Sequence, residues 1–284
     1  STSVQAREVL RDADAALVTF ANIDRAALLA MKPGAIVVRY GVGYDNVDIE
    51  AARELGIRVS NVPDYGADSV ADHTLACLLA LLRRLPTYTR AVQEDGWTAP
   101  TSVGAIQGFA QTTVALIGTG RIGSAVARRL SALGIAVVPH DPYADTMAME
   151  ELGIRLVDLD EAFALGDAVS LHVPLLPETR HIVNVGAIEK MKHGAVVVNT
   201  ARGPLVDEAA LAAAIRGGRL SGAALDVFEQ EPLAATSPLR GLRNVILTPH
   251  AGFYSVVSLA ALQRLAADEV ERALTGLPQR TPIV

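Results

Sequence analysis

The sequence predicts an α/β protein built on two doubly wound parallel sheets, one domain inserted in the other. Three observations carry this reading. Short apolar runs alternate with amphipathic helical stretches along nearly the whole chain, the pattern of parallel strands with helices on both faces. A glycine-rich turn, 118–123, joins one apolar run to one amphipathic stretch. The last helical stretch, about 256–275, has no strand after it and is expected to return and cover the first block.

In chain order, the strands are expected at Ala15–Thr19, Ala35–Val38, Ile57–Ser60, Thr113–Gly118, Ile135–His140, Ala168–Val173, Ala195–Asn199 and Val245–Thr248. Helices are expected at 121–133, 158–165, 184–191 and 207–216. The first block runs to about residue 66. A long helix follows from Asp68 to Leu85, Pro86 breaks it, and an irregular stretch begins at Gly96-Trp97. The second block runs from about Thr113 to 254. The domains are therefore expected at 1–66 with 255–284, and at 67–254. A doubly wound sheet usually starts with the central strand that seeds its first crossover. The first block opens on a helix instead, so about 20–40 residues, the size of one βα unit, are expected before Ser1.

The bulk numbers exclude several classes. The chain has 284 residues, half of them apolar, and a net charge of −6, with only three lysines, Lys32, Lys190 and Lys192. No basic run stands out, so nucleic acid and anionic membranes are not expected partners. The longest apolar stretch, Leu75–Leu82, is too short to span a bilayer. The polar start, STSVQAREVLRDAD, reads as neither signal nor transit peptide. The single cysteine, Cys77, lies in an apolar run and asks for no oxidising compartment, so a cytoplasmic location is expected. The six histidines are scattered, with no metal-ligand spacing.

The strongest local motif is VALIGTGRIGSAVARRL, 114–130. Gly118 permits a tight turn after the strand, Gly120 lets backbone approach a pyrophosphate, and Gly123 lets the helix pack on the strand. The helix N-terminus offers amide donors to phosphates. The next strand ends in Asp141, eighteen residues past Gly123. A carboxylate there can accept the ribose hydroxyls of an adenosine and repels a 2′-phosphate, which favours NAD over NADP. This makes the second block a Rossmann-type NAD-binding domain.

Three further segments sit at strand ends, where open α/β sheets bind ligands. VNTARGP, 198–204, places Arg202 there, with Gly203-Pro204 stiffening the turn. GAALDVFEQEP, 222–232, carries Asp226, Glu229 and Glu231, and LTPHAGFYS, 247–255, carries His250. An arginine holds a carboxylate bidentately. A carboxylate beside a histidine orients the ring and helps it keep a proton for a carbonyl. Next to a nicotinamide, that set reduces a 2-keto acid. Such positioning supplies about 7–11 kcal/mol of a barrier.

With these segments in hand, the chain resembles the D-isomer-specific 2-hydroxyacid dehydrogenase family over nearly its full length. The matching segments are RYGVGYDNVD (39–48), ADHTLACLLAL (71–81), ALIGTGRIG (115–123), LHVPLLPETRHIVN (171–184), VNTARGPLVDE (198–208), ALDVFEQEP (224–232) and TPHAGFYS (248–255). The resemblance implies a flavodoxin-like substrate domain with the NAD-binding domain inserted in it. It implies that Arg202 binds the substrate carboxylate and carbonyl, that His250 is the general acid and base, and that Glu231 rather than Glu229 pairs with it. It implies that Asp226 contacts the nicotinamide carboxamide and that Thr200 and Ala201 present backbone beside it. Thr74, Arg121, Ile122, His172, Val173, Pro174 and Thr179 are implied at the cofactor, and the amides of Val42 and Gly43 at the substrate carboxylate. Tyr40 and Phe253 are candidates for the substrate pocket, with core packing or a dimer contact as the alternative. Within the same family the segments also resemble its C-terminal-binding-protein branch of dinucleotide-sensing scaffolds, and phosphite oxidation uses a related site. Pairing of two copies through the NAD-binding domain is implied, with Trp97, Val103, Ile106 and Phe109 as apolar residues of the arm 83–111.

Overall fold

A computed structural model describes residues 3–144, 147 and 155–284; Ser1 and Thr2, part of the segment read as helix-like, lie outside the described residues. In chain order the helices are α1 (Ser3–Val9), α2 (Arg25–Leu28), α3 (Ile49–Leu55), α4 (Ala67–Leu82), α5 (Leu85–Asp95), α6 (Arg121–Ala132), α7 (Leu159–Leu165), α8 (Val185–Lys190), α9 (Glu208–Arg216) and α10 (Val256–Leu274). The strands are β1 (Ala15–Val18), β2 (Ile36–Arg39), β3 (Arg58–Ser60), β4 (Thr113–Ile117), β5 (Ala136–His140), β6 (Ala168–Leu171), β7 (Val196–Asn199), β8 (Gly222–Leu225) and β9 (Val245–Leu247). They fall into two compact units, Ser1–Ala67 with Phe253–Val284, and Asp68–Gly252.

Unit 1 is a parallel sheet of order β1-β2-β3. Its central strand is buried on both faces, as a parallel strand between helices must be. Val37 and Val59 point to the side packed by α2 and α3 residues such as Leu28 and Ala52. Ile36 and Val38 point to the other side, against Leu262, Leu265 and Ala266 of α10. Asp24 and Asp48 cap α2 and α3 by accepting the N–H three residues on. Losing such a cap costs about 0.5–2 kcal/mol. Ser255 and Ser258 cap α10 reciprocally. The terminal residues run back along β3: Val59 N–H donates to Val284 O and Ile283 N–H to Val59 O, both at 2.8 Å.

Unit 2 is a six-stranded parallel sheet of order β5-β4-β6-β7-β8-β9. Its strand residues alternate between two cores with period two. Val114 and Leu116 face α4 and α6, packing with Cys77, Leu78, Val126 and Leu130. Ala115 and Ile117 face the layer of α7, α8 and α9, packing with Phe163, Ile188 and Leu211. Burial pushes the Cys77 thiol up to about 11, and the nearby Asp226 charge adds to this, so it stays protonated. From α6, Arg129 reaches both Asp68 and Asp72 of α4.

The structure departs from the sequence reading in two places. The helix from residue 67 ends at Leu82, and Arg84 takes a left-handed backbone, φ +57°. Pro86 then sits in the first turn of a second helix, α5, where its missing N–H costs nothing. The other difference is β8. Its Gly-Ala-Ala-Leu sequence has weak strand character, and Gly222 is needed because a Cβ there would fall 2.4 Å from Asn244 O.

Candidate active site

Strand order in unit 2 reverses at β4: β5 lies on one side and β6 on the other. The carboxyl ends of β4 and β6 therefore flank the crevice where such sheets take ligands. Gly118 ends β4 with φ +100°, and a Cβ there would lie 2.7 Å from the His172 carbonyl at the end of β6. At Gly123 a Cβ would lie 2.2 Å from Gly118 O, so the first turn of α6 rests directly on the loop. Gly120 differs: a Cβ there would meet nothing within 4 Å. It caps α6 and faces open space, where the helix amides and dipole end are available. Arg121 and Ile122 form the first turn beside it.

Asp141 closes this loop from β5. One carboxylate oxygen accepts both the N–H and the hydroxyl of Thr119, at 2.7 and 2.9 Å, and the other accepts the Tyr143 N–H at 2.9 Å. Burial pushes the carboxyl up, but these three donors and the His140 charge outweigh it, and the group sits below the ordinary Asp value. About four acceptor positions exist on a carboxylate, so roughly one remains for a ribose hydroxyl rather than the two expected.

At the end of β6 the His172 ring bonds Ser170 Oγ at 2.9 Å, and burial lowers its pKa to about 4. It is a neutral ring under the glycine loop. Val173 and Pro174 follow it. Thr179 shapes their loop, accepting the Leu176 N–H and donating to Pro174 O. Thr74 lies on α4. It has no exposed surface, and its hydroxyl donates to Val70 O and pairs with Thr200 at 2.8 Å. It buttresses Thr200 from behind.

The next three strand ends carry the expected arginine, acid and histidine. After β7, Asn199 clamps its own turn, accepting the Ala201 N–H and donating to Arg202 O. Arg202 Nη1 donates to Ala201 O at 2.7 Å. After β8 and β9 come the loop 226–232 and His250. His250 Nδ1 faces Glu231 Oε2 at 2.8 Å, and the other Glu231 oxygen accepts the Phe228 N–H at 3.0 Å. Burial pushes the Glu231 carboxyl up. The His250 hydrogen bond and charge, the Phe228 N–H and the Arg202 guanidinium outweigh it, and its pKa lies below the ordinary Glu value. Glu229, the neighbouring acid, instead pairs with His181 Nε2 at 2.6 Å.

Asp226 follows the last residue of β8. It is 3 % exposed and accepts the Thr248 hydroxyl and the N–H groups of Ala251 and Gly252, both at 2.8 Å. Its backbone carbonyl accepts the His250 N–H at 2.7 Å. Behind it, His73 Nε2 lies 3.1 Å from the Thr248 hydroxyl. Asp226 is thus the anchor of the His250 turn, which holds a non-glycine residue at φ +54°. Three of about four acceptor positions on this carboxylate are used, so roughly one remains, as on Asp141. The scattered histidines gave no sign of His73, because its partner is 175 residues away.

The substrate-side candidates lie in unit 1. Val42 and Gly43 follow β2, and Asn61 Nδ2 donates to Val42 O at 2.7 Å. Tyr40 packs on the α10 core, and Phe253 meets Tyr65 edge-on with ring centroids 6.3 Å apart. Both make packing contacts of the kind named as the alternative. Among the described residues no group of three or more His, Cys, Asp or Glu is placed to hold a metal ion, and no helix is long and apolar enough to cross a membrane.

Known proteins are similar to this chain in sequence and in fold. A family profile described as "D-isomer specific 2-hydroxyacid dehydrogenase, NAD binding domain" matches residues 75–252. The D-3-phosphoglycerate dehydrogenase of Archaeoglobus fulgidus is 39% identical over 263 residues, 92% of this chain and 49% of that protein. That of Mycobacterium tuberculosis is 42% identical over 266 residues, 93% of this chain and 50% of that protein. The chain spans about half the length of the curated relatives it matches. A Thermus thermophilus protein of solved structure superposes with a TM-score of 0.88 at 36% identity, over 99% of this chain and 89% of that one. The D-lactate dehydrogenase of Aquifex aeolicus, solved with NAD and lactic acid, gives 0.87 at 32% identity, over 95% of this chain and 85% of that one. With its doubly wound sheet, its glycine loop and these relatives, the chain belongs to the D-isomer specific 2-hydroxyacid dehydrogenase family of NAD-dependent oxidoreductases.

Proposed function

We propose that this chain interconverts a 2-keto acid and a D-2-hydroxy acid, using NAD. The observation that carries the proposal is the Glu231–His250 pair, 2.8 Å between Oε2 and Nδ1. With Nδ1 facing the carboxylate, Nε2 is the ring nitrogen assigned to exchange a proton with substrate oxygen. In reduction His250 gives the Nε2 proton to the carbonyl oxygen; in oxidation it takes the hydroxyl proton. Arg202 holds the substrate carboxylate in a bidentate clamp and draws on the carbonyl. Glu231 keeps the ring oriented and balances its positive charge. When bound, NADH supplies the hydride.

The glycine loop fits that dinucleotide. Gly120 leaves open space at the α6 N-terminus, and Gly118 and Gly123 allow the close approach that shapes it. Ala201 and Thr200 would lie beside the nicotinamide, and Asp141 on the ribose. The negative charge of Asp141 opposes a 2′-phosphate, so NADH is the proposed cofactor over NADPH. We place the protein in the cytoplasm, where a thiol such as Cys77 stays reduced. A homodimer is also proposed: α5 buries none of its residues, and Trp97 beyond it is 83 % exposed.

The test is NADH oxidation with glyoxylate, hydroxypyruvate, pyruvate, a branched-chain keto acid and phenylpyruvate, and NAD reduction with D-3-phosphoglycerate. Arg202→Ala and His250→Ala run alongside. Turnover of one acid, lost in both variants while NADH still binds, supports the reading. NADH binding without turnover of any acid overturns it in favour of a dinucleotide sensor or phosphite oxidation. A preference for NADPH would overturn the Asp141 assignment.

A further inference from the structure

Glu208 takes no part in the chemistry above, yet it is buried between the two loops that carry it. It is 8 % exposed, on the first turn of α9, six residues after Arg202. Its Oε1 accepts the Glu229 N–H at 2.7 Å. That N–H belongs to the peptide joining Phe228 to Glu229. The same peptide lies against Gly203, where a Cβ would fall 1.9 Å from its carbonyl carbon and oxygen and 2.5 Å from its nitrogen. The Arg202 turn and the 226–232 loop therefore meet along one peptide plane, with the glycine against it and the Glu208 carboxylate on its N–H.

The consequence reaches His250 in two bonds. Phe228 N–H, one residue before that peptide, donates to Glu231 Oε1, and Glu231 Oε2 faces His250. His181 holds the Glu229 side chain from the loop before α8, and His181 N–H is itself bonded to Pro204 O on the Arg202 turn. The charged groups around the plane are thus Glu208, Glu229, His181, Glu231, His250 and Arg202. A carboxylate in this place is held against opposition. Burial pushes Glu208 up, the Glu229 N–H pulls it down, the Glu229 charge pushes it up again, and its pKa lies above the ordinary Glu value.

We propose that Glu208 is a positioning residue for the reaction, its reach fixing the Phe228–Glu229 peptide and hence the placement of Arg202 relative to the Glu231–His250 pair. The role in catalysis rests on the functional reading above. It predicts that side-chain length matters and charge does not. E208D keeps the charge and loses one methylene, about 1.5 Å of reach. E208Q keeps the length and an acceptor oxygen.

The experiment measures kcat on the best 2-keto acid, the dissociation constant for NADH, the unfolding midpoint, and the titration of Glu231 by carbon-13 NMR, in the wild-type chain, E208D and E208Q. The expected result is a fall in kcat of roughly ten- to a hundred-fold in E208D, with NADH binding unchanged. The Glu231 titration moves to higher pH in E208D as its donors drift away, and does not rise in E208Q, whose kcat stays near wild type. E208D with wild-type kcat and an unmoved Glu231 titration overturns the proposal, whatever its unfolding midpoint. E208Q as slow as E208D overturns it too, because charge would then matter. A wild-type chain that turns over no 2-keto acid defeats the functional reading alone, and the Glu231 titrations still decide whether Glu208 sets this geometry.

Discussion

Gly203 and Phe228 are in backbone contact: a Cβ on the glycine would lie 1.9 Å from the Phe228 carbonyl carbon and oxygen. Neither atom belongs to a flexible side chain that can swing away. Gly203→Ala is therefore expected to push the Arg202 turn off the 226–232 loop. The strain should cost at least about 1–3 kcal/mol in a urea titration. Turnover should fall more steeply than NADH affinity, because Gly118, Gly120 and Gly123 are untouched. A variant with wild-type turnover would show that the two loops do not depend on this contact.

His250→Ala removes the proposed proton carrier and is expected to lower kcat about 10²–10⁴-fold. Glu231→Gln keeps a hydrogen-bond acceptor for the ring but removes the charge that favours the protonated pair. Its effect should be smaller. In keto-acid reduction, which needs the proton, its alkaline limb should move to lower pH. A pH–rate profile for each variant, with NADH saturating, separates the two. Glu231 is itself depressed, so its contribution to stability is present above the unfolded-state value and is lost as pH falls through the folded one.

His172 makes stability depend on pH in a second window. Its folded pKa is about 4 against an ordinary 6.5, so between those values the unfolded chain binds a proton that the folded one refuses. Stability is full above pH 6.5 and declines as pH falls toward 4, by about 3 kcal/mol in all. Urea midpoints at pH 7.5, 5.5 and 4.5 should show this for the wild-type chain. The difference between it and His172→Asn isolates the effect from the carboxylates, and an equal slope in the variant would refute it.

Trp97 is the single tryptophan of the chain and is 83 % exposed. If two copies pair through the arm that carries it, its emission moves to shorter wavelength as the dimer forms. Light scattering and fluorescence followed down a dilution series should change together. A concentration-independent monomer by scattering would defeat the dimer.

Sequence alone exposed the fold wherever one signal acted locally. β4 and α6 were legible because a Val/Leu/Ile run meets a glycine turn and then a helical period. β8 was not, since Gly222 is required by the closeness of Asn244, a packing fact with no local trace. The α5 helix was hidden because a proline reads as a stop until the left-handed Arg84 turns it into a start. At the site, strand ends bring the acids and the histidine to one edge of the sheet, but the choice of Glu231 as partner came from the family resemblance and not from spacing. Glu229 and Glu231 are two residues apart and face different histidines. The backbone anchoring by Asp226 and Glu208 runs through bonds to residues 21–26 positions away, which no periodicity records.

The pairing of His73 with Thr248 bears on how the chain comes together. These residues lie near the two ends of residues 68–252, and a Cβ on Gly252 would also touch His73, at 3.5 Å. Unit 1 is written in two pieces separated by that whole segment. Closing so long a loop while it is still random costs about 4–5 kcal/mol of chain entropy. Once unit 2 has folded, its ends are already neighbours and most of that cost has been met. The expected order of assembly is that the inserted unit matures first, and the halves of the outer one find each other afterwards, through α10 and the terminal residues on β3.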